Sequence, residues 1–159
     1  MRASTVAPRI ERLVHKADFE RLLGVRSKAR SAHFALHHVN GSPAVARRTS
    51  QTGSASGPTN LSTARAPDVN MPVHNSAGDR VWFGCVVPKR NARRAVTRTL
   101  LKRQIRAAFE RHGVALAGGL WLVRLRSPFL KADFVSAAST ALAAAARTEL
   151  DGLLMRAAD

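Results

Sequence analysis

Residues 80–87, RVWFGCVV, are apolar on both faces when read as a strand, and Pro88 follows them. A strand without a polar face needs packing on both sides, so it belongs inside a sheet. Pro88 cannot donate to a ladder and ends the strand. A basic loop, KRNARRAV, comes next. Residues 97–112 then carry Leu101, Ile105, Ala108 and Phe109 at helical spacing, with Gly113 at the C-terminal end. Residues 118–126, GGLWLVRLR, read as the following strand. Strand, helix and strand in succession confine the chain to a layered α/β architecture.

Upstream, residues 8–24, PRIERLVHKADFERLLG, place Leu13, Val14, Ala17 and Leu22 near helical spacing and predict a short helix that stops at Gly24. Asp18 or Lys16 faces water in that reading, and Phe19 lies off the centre of the stripe. Residues 33–39, HFALHHV, predict a strand with Phe34 and Leu36 on one face and His33, Ala35, His37 and Val39 on the other. The basic RSKAR before it predicts a short edge strand. Residues 40–79 are rich in Gly, Ser, Thr, Pro and Asn and nearly free of large apolar side chains. They bury too little surface to order themselves and read as a flexible insertion. After a turn at Ser127-Pro128, residues 131–156 predict a long helix. Its buried stripe is drawn from Phe134, Ala138, Ala141, Leu142, Ala145 and Leu153 or Leu154. The expectation is one α/β domain over residues 8–157, interrupted at 40–79. It has a small mixed sheet and three helices in the order α-β-β-β-α-β-α.

The chain of 159 residues carries 26 Lys+Arg against 10 Asp+Glu, a formal net charge of +16. A field of that sign gathers polyanions. It is densest in residues 88–113, PKRNARRAVTRTLLKRQIRAAFERHG, where Glu110 is the one acid. On the predicted helix Arg98, Lys102 and Arg106 lie four apart along one side, with Arg103 beside them. Like charges at that spacing oppose helix formation by roughly 0.2–0.5 kcal/mol per pair. A merely solvated face intersperses acids, and this one has almost none. Arginine dominates, which suits bidentate phosphate contacts. Charge alone does not separate RNA from DNA. A general structured-RNA-binding or ribosome-associated protein fits it as well as a protein dedicated to one RNA.

Several classes are disfavoured. No apolar run approaches the roughly 18 residues of a spanning helix, and the N-terminus lacks the apolar core of a secretory signal. A cytoplasmic protein is expected. The single cysteine, Cys85, leaves no internal disulfide or cysteine-based zinc site and reads as a small buried apolar residue. The acids are scattered, and Asp18/Glu20 and Glu149/Asp151 sit two apart on helices, pointing in different directions. That is poor ground for a metal-dependent nuclease. His37 and His38 alternate across a strand and cannot share one site. No catalytic residue and no protein-held metal is expected.

The basic stretch VVPKRNARRAVTRTLLKRQIRAAFERH resembles the signature of the bacterial ribonuclease P protein component. Lys89-Arg90 match that family's basic pair after a strand. Arg98 matches the first Arg of its Arg-Asn-Arg core, Lys102-Arg103 the later pair, and Arg106 and Phe109 the continuation Arg-x-x-Phe. Thr99 and Leu100 depart from the usual Asn and Arg. RLVHKADFERLL is similar to the family's first helix, with Asp18-Phe19 at its Asp/Gln-Phe pair, and HFALHHV to its Phe-x-Leu strand.

The resemblance implies an α/β sandwich with a left-handed crossover between the strands at 80–87 and 119–126, where periodicity alone predicts a right-handed one. It implies the noncatalytic protein subunit of ribonuclease P, monomeric when alone. Its expected partners are the catalytic RNA and the 5′ leader of precursor tRNA. Mg²⁺ is expected in the ribonucleoprotein, held mainly by RNA, which performs the endonucleolytic cleavage. The resemblance assigns RNA contact to Lys89, Arg90, Asn91, Arg93 and Arg94 in the loop, and to Arg98, Lys102, Arg103 and Arg106 on the helix. Phe19, Leu23, His37 and Val86, joined by Arg98, match a cleft for the leader.

Overall fold

The computed structural model describes residues 10–44, 80–130, 133–134, 136 and 139–159. The insertion expected at 40–79 lies outside the described residues from position 45 onward. The elements are β1 (Ile10–Arg12), α1 (Lys16–Leu23), β2 (Ala29–Arg30), β3 (Phe34–Val39), β4 (Val81–Val86), α2 (Ala95–His112), β5 (Gly119–Leu125) and α3 (Thr140–Ala158). A 3-10 turn at Gly113–Ala115 follows α2. The strands form one mixed sheet in the order β1-β4-β5-β3-β2. β4 is parallel to both β1 and β5, and β3 is antiparallel to β5 and to β2.

Strand alternation divides the core. Phe34 and Leu36 of β3, Val81 and Phe83 of β4 and Trp121, Val123 and Leu125 of β5 face α2 and α3. α2 contributes Leu101, Ile105, Ala108 and Phe109, all fully buried. Phe109 stacks on Phe83 with ring centroids 4.9 Å apart. Removing a side chain of that size from water stabilises by about 1.5–3 kcal/mol. This offsets the repulsion among the helix's exposed cations. On the opposite face Leu13 and Leu22 pack with Trp82, Leu120 and Leu122, and Phe19 joins them half-buried.

The expected α/β class, the mixed sheet and the three helices stand, but the order gains a strand at its start. Residues 8–24 do not form one helix. Ile10 pairs in parallel with Val81, and the Leu13 amide donates to the Phe83 carbonyl at 2.8 Å. The edge of β4 captures a β-branched residue and overrides the helical spacing. Of the expected stripe, Leu13 and Leu22 are buried, whereas Val14 is 76% exposed. Asp18, expected to face water, is buried. Its Oδ1 accepts from the Ala44 amide at 2.9 Å and holds the turn after β3 against α1.

Gly113 ends α2 in ordinary right-handed conformation. Its requirement is space, since a Cβ there would lie 2.5 Å from Cδ1 of Ile10. The last helix starts later than expected. Ser139 caps it by accepting from the Leu142 amide at 3.1 Å. Phe134 therefore lies before the helix and meets Phe129 edge-to-face at 5.7 Å. Ala138 lies outside the described residues, and Ala141 is exposed. The buried stripe is Leu142, Ala146, Leu150, Leu153, Leu154 and Ala157.

Candidate RNA-binding surface

The loop after β4 opens as a turn, with the amides of Asn91 and Ala92 donating to the Pro88 carbonyl. Asn91, one of the expected RNA contacts, is half-buried. Its Nδ2 donates to the Leu125 carbonyl at 2.9 Å and ties the loop to the end of β5. Lys89, Arg90, Arg93 and Arg94 stand exposed around that anchor. Arg98, expected to point outward, instead folds back. Its Nη1 donates to the carbonyls of Ala92 at 3.0 Å and Arg93 at 2.7 Å. Those carbonyls precede an α2 N-terminus whose N-cap, Arg94, offers no side-chain acceptor. Arg98 thereby fixes the path of the basic loop.

Lys102, Arg103 and Arg106 are exposed as expected, on the side of α2 away from its buried stripe. With Thr99 and Arg12 they surround a depression over Phe83 and Cys85. Burial, the largest influence, pushes the Cys85 thiol up, while the charges of Lys102, Arg12 and Arg106 pull it down. The two departures from the family pattern have different settings. Thr99 is exposed, whereas Leu100 is half-buried against the main core.

The other side of the sheet carries three transverse rows, set by register. Trp82, Leu120 and Val39 form the first, Gly84, Leu122 and His37 the second, and Val86, Arg124, Ala35 and Arg30 the third. α1 is only eight residues long and covers the first row. Phe19 reaches the second row directly above Gly84. A Cβ on Gly84 would stand 2.8 Å from Cε1 of Phe19 and 3.2 Å from Cδ1 of Leu122. Glycine at this position lets the ring lie against the sheet. Val86 borders the ring's row, half-buried. His37 is on the same face but more enclosed than a surface contact, at 7% exposure. Leu23 is 38% exposed at the end of α1 and belongs to neither core.

The structure thus brings Phe19, His37 and Val86 to one face and leaves Leu23 at its periphery. Arg30, Arg124 and Arg126 were not among the expected contacts. The local signal for two of them was the alternation in LVRLR, which puts Arg124 and Arg126 on the face opposite Val123 and Leu125.

Most described acids and imidazoles are engaged within the fold. Glu11 accepts from Nε1 of Trp82 at 3.1 Å, and Asp151 pairs with Arg111, His112 and Arg147. Glu149 binds His33 through both carboxylate oxygens, at 2.6 Å to the amide and 2.8 Å to Nδ1. His38 stacks on Trp121 and contacts the Gly118 carbonyl. Burial, foremost, holds its pKa below the ordinary value, with the Lys28 charge acting the same way against that hydrogen bond. Among the described residues no three His, Cys, Asp or Glu side chains cluster as metal ligands. No helix among them is long and apolar enough to cross a membrane.

A family model described as Ribonuclease P matches residues 7–149. The chain belongs to the ribonuclease P protein family. It is 32% identical over 158 residues to the ribonuclease P protein component of Burkholderia mallei strain SAVP1, covering 99% of this chain and 90% of the relative. The corresponding component of Bordetella parapertussis is 43% identical over 79 residues, covering 50% of this chain and 60% of the relative. A solved RNase P protein from Staphylococcus aureus shares the fold with a TM-score of 0.54 at 20% identity, covering 92% of this chain and 94% of that one. The chain therefore acts in tRNA processing as the RNA-binding protein subunit of ribonuclease P and partners its RNA subunit.

Proposed function

We propose that this subunit takes no part in bond cleavage and acts by holding two RNAs on two surfaces. The exposed cations of α2 and its preceding loop meet the catalytic RNA. The strip of sheet beside Phe19 receives the 5′ leader of precursor tRNA. The observation that carries this reading is the Phe19–Gly84 contact. An aromatic ring lies on a sheet that α1 leaves partly uncovered, beside Val86, where strand β4 leads into the basic loop. A base stacked on such a ring is worth roughly 1–3 kcal/mol. The engaged carboxylates support leaving the chemistry, and the Mg²⁺ it needs, to RNA. With cations on two surfaces, the protein screens repulsion between catalytic RNA and substrate. A single copy suffices for this, and sedimentation of the free protein is expected to give a monomer.

Reconstitution tests the proposal. Purified protein added to its cognate RNA at low Mg²⁺ raises the affinity for precursor tRNA carrying a leader more than for mature tRNA. Equal gains for both would remove the leader from the reading. Cleavage by the protein after RNA removal would overturn the noncatalytic assignment.

A further inference from the structure

Beyond Phe19 the open face does not end in neutral surface. Ser27, Arg30, Ala35, His37, Arg124 and Arg126 line a depression of about 260 Å³. Arg124 and Arg30 are the cross-strand neighbours of Ala35 on either side, through β5 and β2. Two strand spacings separate them, about 10 Å. Arg126, one residue past the end of β5, donates its amide to the His33 carbonyl and lines the same depression. The small Ala35 side chain leaves the floor between them low. None of the three arginines is ion-paired among the described residues, and no acid lines the depression. Arg30 donates through Nε to the Ser27 hydroxyl, which fixes one edge of its guanidinium. Three unneutralised guanidiniums around one depression repel one another, and an anion between them relieves that repulsion.

His37 adds a directional element. Its Nδ1 lies 3.0 Å from the Val25 carbonyl oxygen. A carbonyl only accepts, so Nδ1 carries the hydrogen, and the tautomer this selects has Nε2 as an acceptor. The one hydrogen bond of the His37 ring among the described residues is made through Nδ1, which leaves Nε2 open on a side chain that lines the depression. The site thus combines donors for phosphate with one fixed acceptor. A DNA strand offers phosphates but no sugar hydroxyl. An RNA strand offers both, since the 2′-hydroxyl donates as well as accepts.

We infer that this depression is a phosphate-and-ribose subsite for single-stranded RNA, in which Arg30, Arg124 and Arg126 hold a phosphodiester and His37 Nε2 accepts from a ribose 2′-hydroxyl. The inference rests on the reading that the open face holds a single strand. It adds a means of telling RNA from DNA that neither Phe19 nor the cations of α2 provide.

The test uses the full chain without catalytic RNA, so its failure is separate from any failure in reconstituted cleavage. Anisotropy is measured for a short single-stranded oligoribonucleotide, its deoxy counterpart and its 2′-fluoro counterpart across a salt series. Fluorine preserves an RNA-like sugar but cannot donate. The ribose strand binds about five-fold more tightly than either analogue, the size of one net hydrogen bond. His37→Phe removes that preference and leaves the salt slopes unchanged. Arg124→Ala flattens the slope for all three strands by about 0.7, the loss of one single-strand phosphate contact. A 2′-fluoro strand that binds as tightly as ribose would overturn the hydroxyl contact, and this arm needs no substitution in the protein. A ribose preference that survives in folded His37→Phe would assign the contact elsewhere. An unchanged slope in Arg124→Ala would remove the phosphate from the depression.

Discussion

The two regions proposed to face RNA are built by opposite means. The α2 surface takes its charge from a continuous stretch of chain. One helix supplies both the apolar stripe that docks it and the cations that stand away from the core, so packing and charge are separated by a half-turn of the same element. The strip beside Phe19 is assembled from four strands and a helix, and no stretch of chain contains it. Its floor is apolar, the Phe19 ring depends on a glycine beneath, and its arginines sit where the apolar floor ends. The first region offers attraction that is strong and indifferent to base or sugar. The second offers shape, stacking and directed hydrogen bonds, which discriminate. A subunit that, as proposed, serves a large structured RNA and a short single strand has a use for both kinds of contact.

The largest effect expected separates them by salt. Lys102→Ala, Arg103→Ala and Arg106→Ala combined lower affinity for the catalytic RNA on the order of a hundred-fold near 0.1 M salt and flatten the salt slope by about 3. Folding stability changes by no more than about 0.5 kcal/mol, because these side chains are exposed. An unchanged slope would show that α2 is not the surface facing that RNA. Phe19→Ala has the opposite signature. It costs about 1–3 kcal/mol of affinity for leader-bearing substrate, with the slope retained. If affinity falls equally for mature tRNA, Phe19 supports the fold and not the leader. Gly84→Ala should reproduce the Phe19 defect by displacing the ring, while both proteins still bind catalytic RNA normally.

A smaller effect concerns the join between the regions. Asn91→Ala removes the tie between the basic loop and β5, at a cost of about 1 kcal/mol in chemical denaturation. Because Asn91 acts through the loop's position, the salt slope stays near that of the unaltered protein. A slope reduced by a full unit would instead make Asn91 part of a direct phosphate contact.

These differences also set what the sequence could disclose. Leu101, Ile105, Ala108 and Phe109 were readable as a buried stripe, and Lys102, Arg103 and Arg106 as its exposed counterpart, because helical periodicity is local. Arg98 was misjudged for a local reason of another kind. Its guanidinium caps carbonyls of the preceding loop, and side-chain spacing does not register such a bond. β1 was illegible because Ile10–Arg12 becomes a strand only beside Val81, far along the chain. The third row of the sheet, Val86–Arg124–Ala35–Arg30, needed three registers at once, two of them spanning the insertion or the α2 crossover. Phe19 stood out as misplaced on its helix. Only Gly84, which Pro88 and the apolar run around it had masked as an ordinary strand residue, explains where the ring goes.

The smallest effect asks whether both regions stand on one scaffold. Glu149 of α3 grips the start of β3 through the amide and Nδ1 of His33, and Phe129 stacks on the His33 ring at 3.9 Å. β3 carries Ala35 and His37 on its far side, so this clamp links α3 to the strip. Burial, the largest influence on the Glu149 carboxyl, pushes its pKa up. Hydrogen bonds from Ser31 and His33 and the His33 charge together outweigh burial, and the pKa is lowered from its ordinary value. A carboxyl whose folded pKa is depressed contributes stability that is present above its unfolded pKa, about 4.3, and is lost as pH falls through the lower folded value. Unfolding followed from pH 6 downward therefore shows a decline below about pH 4.3 that Glu149→Gln reduces. Since α2 and α3 share the main core, the Glu149→Gln variant should lower the stability of both regions together in hydrogen exchange. Loss of protection confined to β3 would mean that the strip opens independently of the basic helix, and that the two proposed RNA surfaces are separate cooperative units.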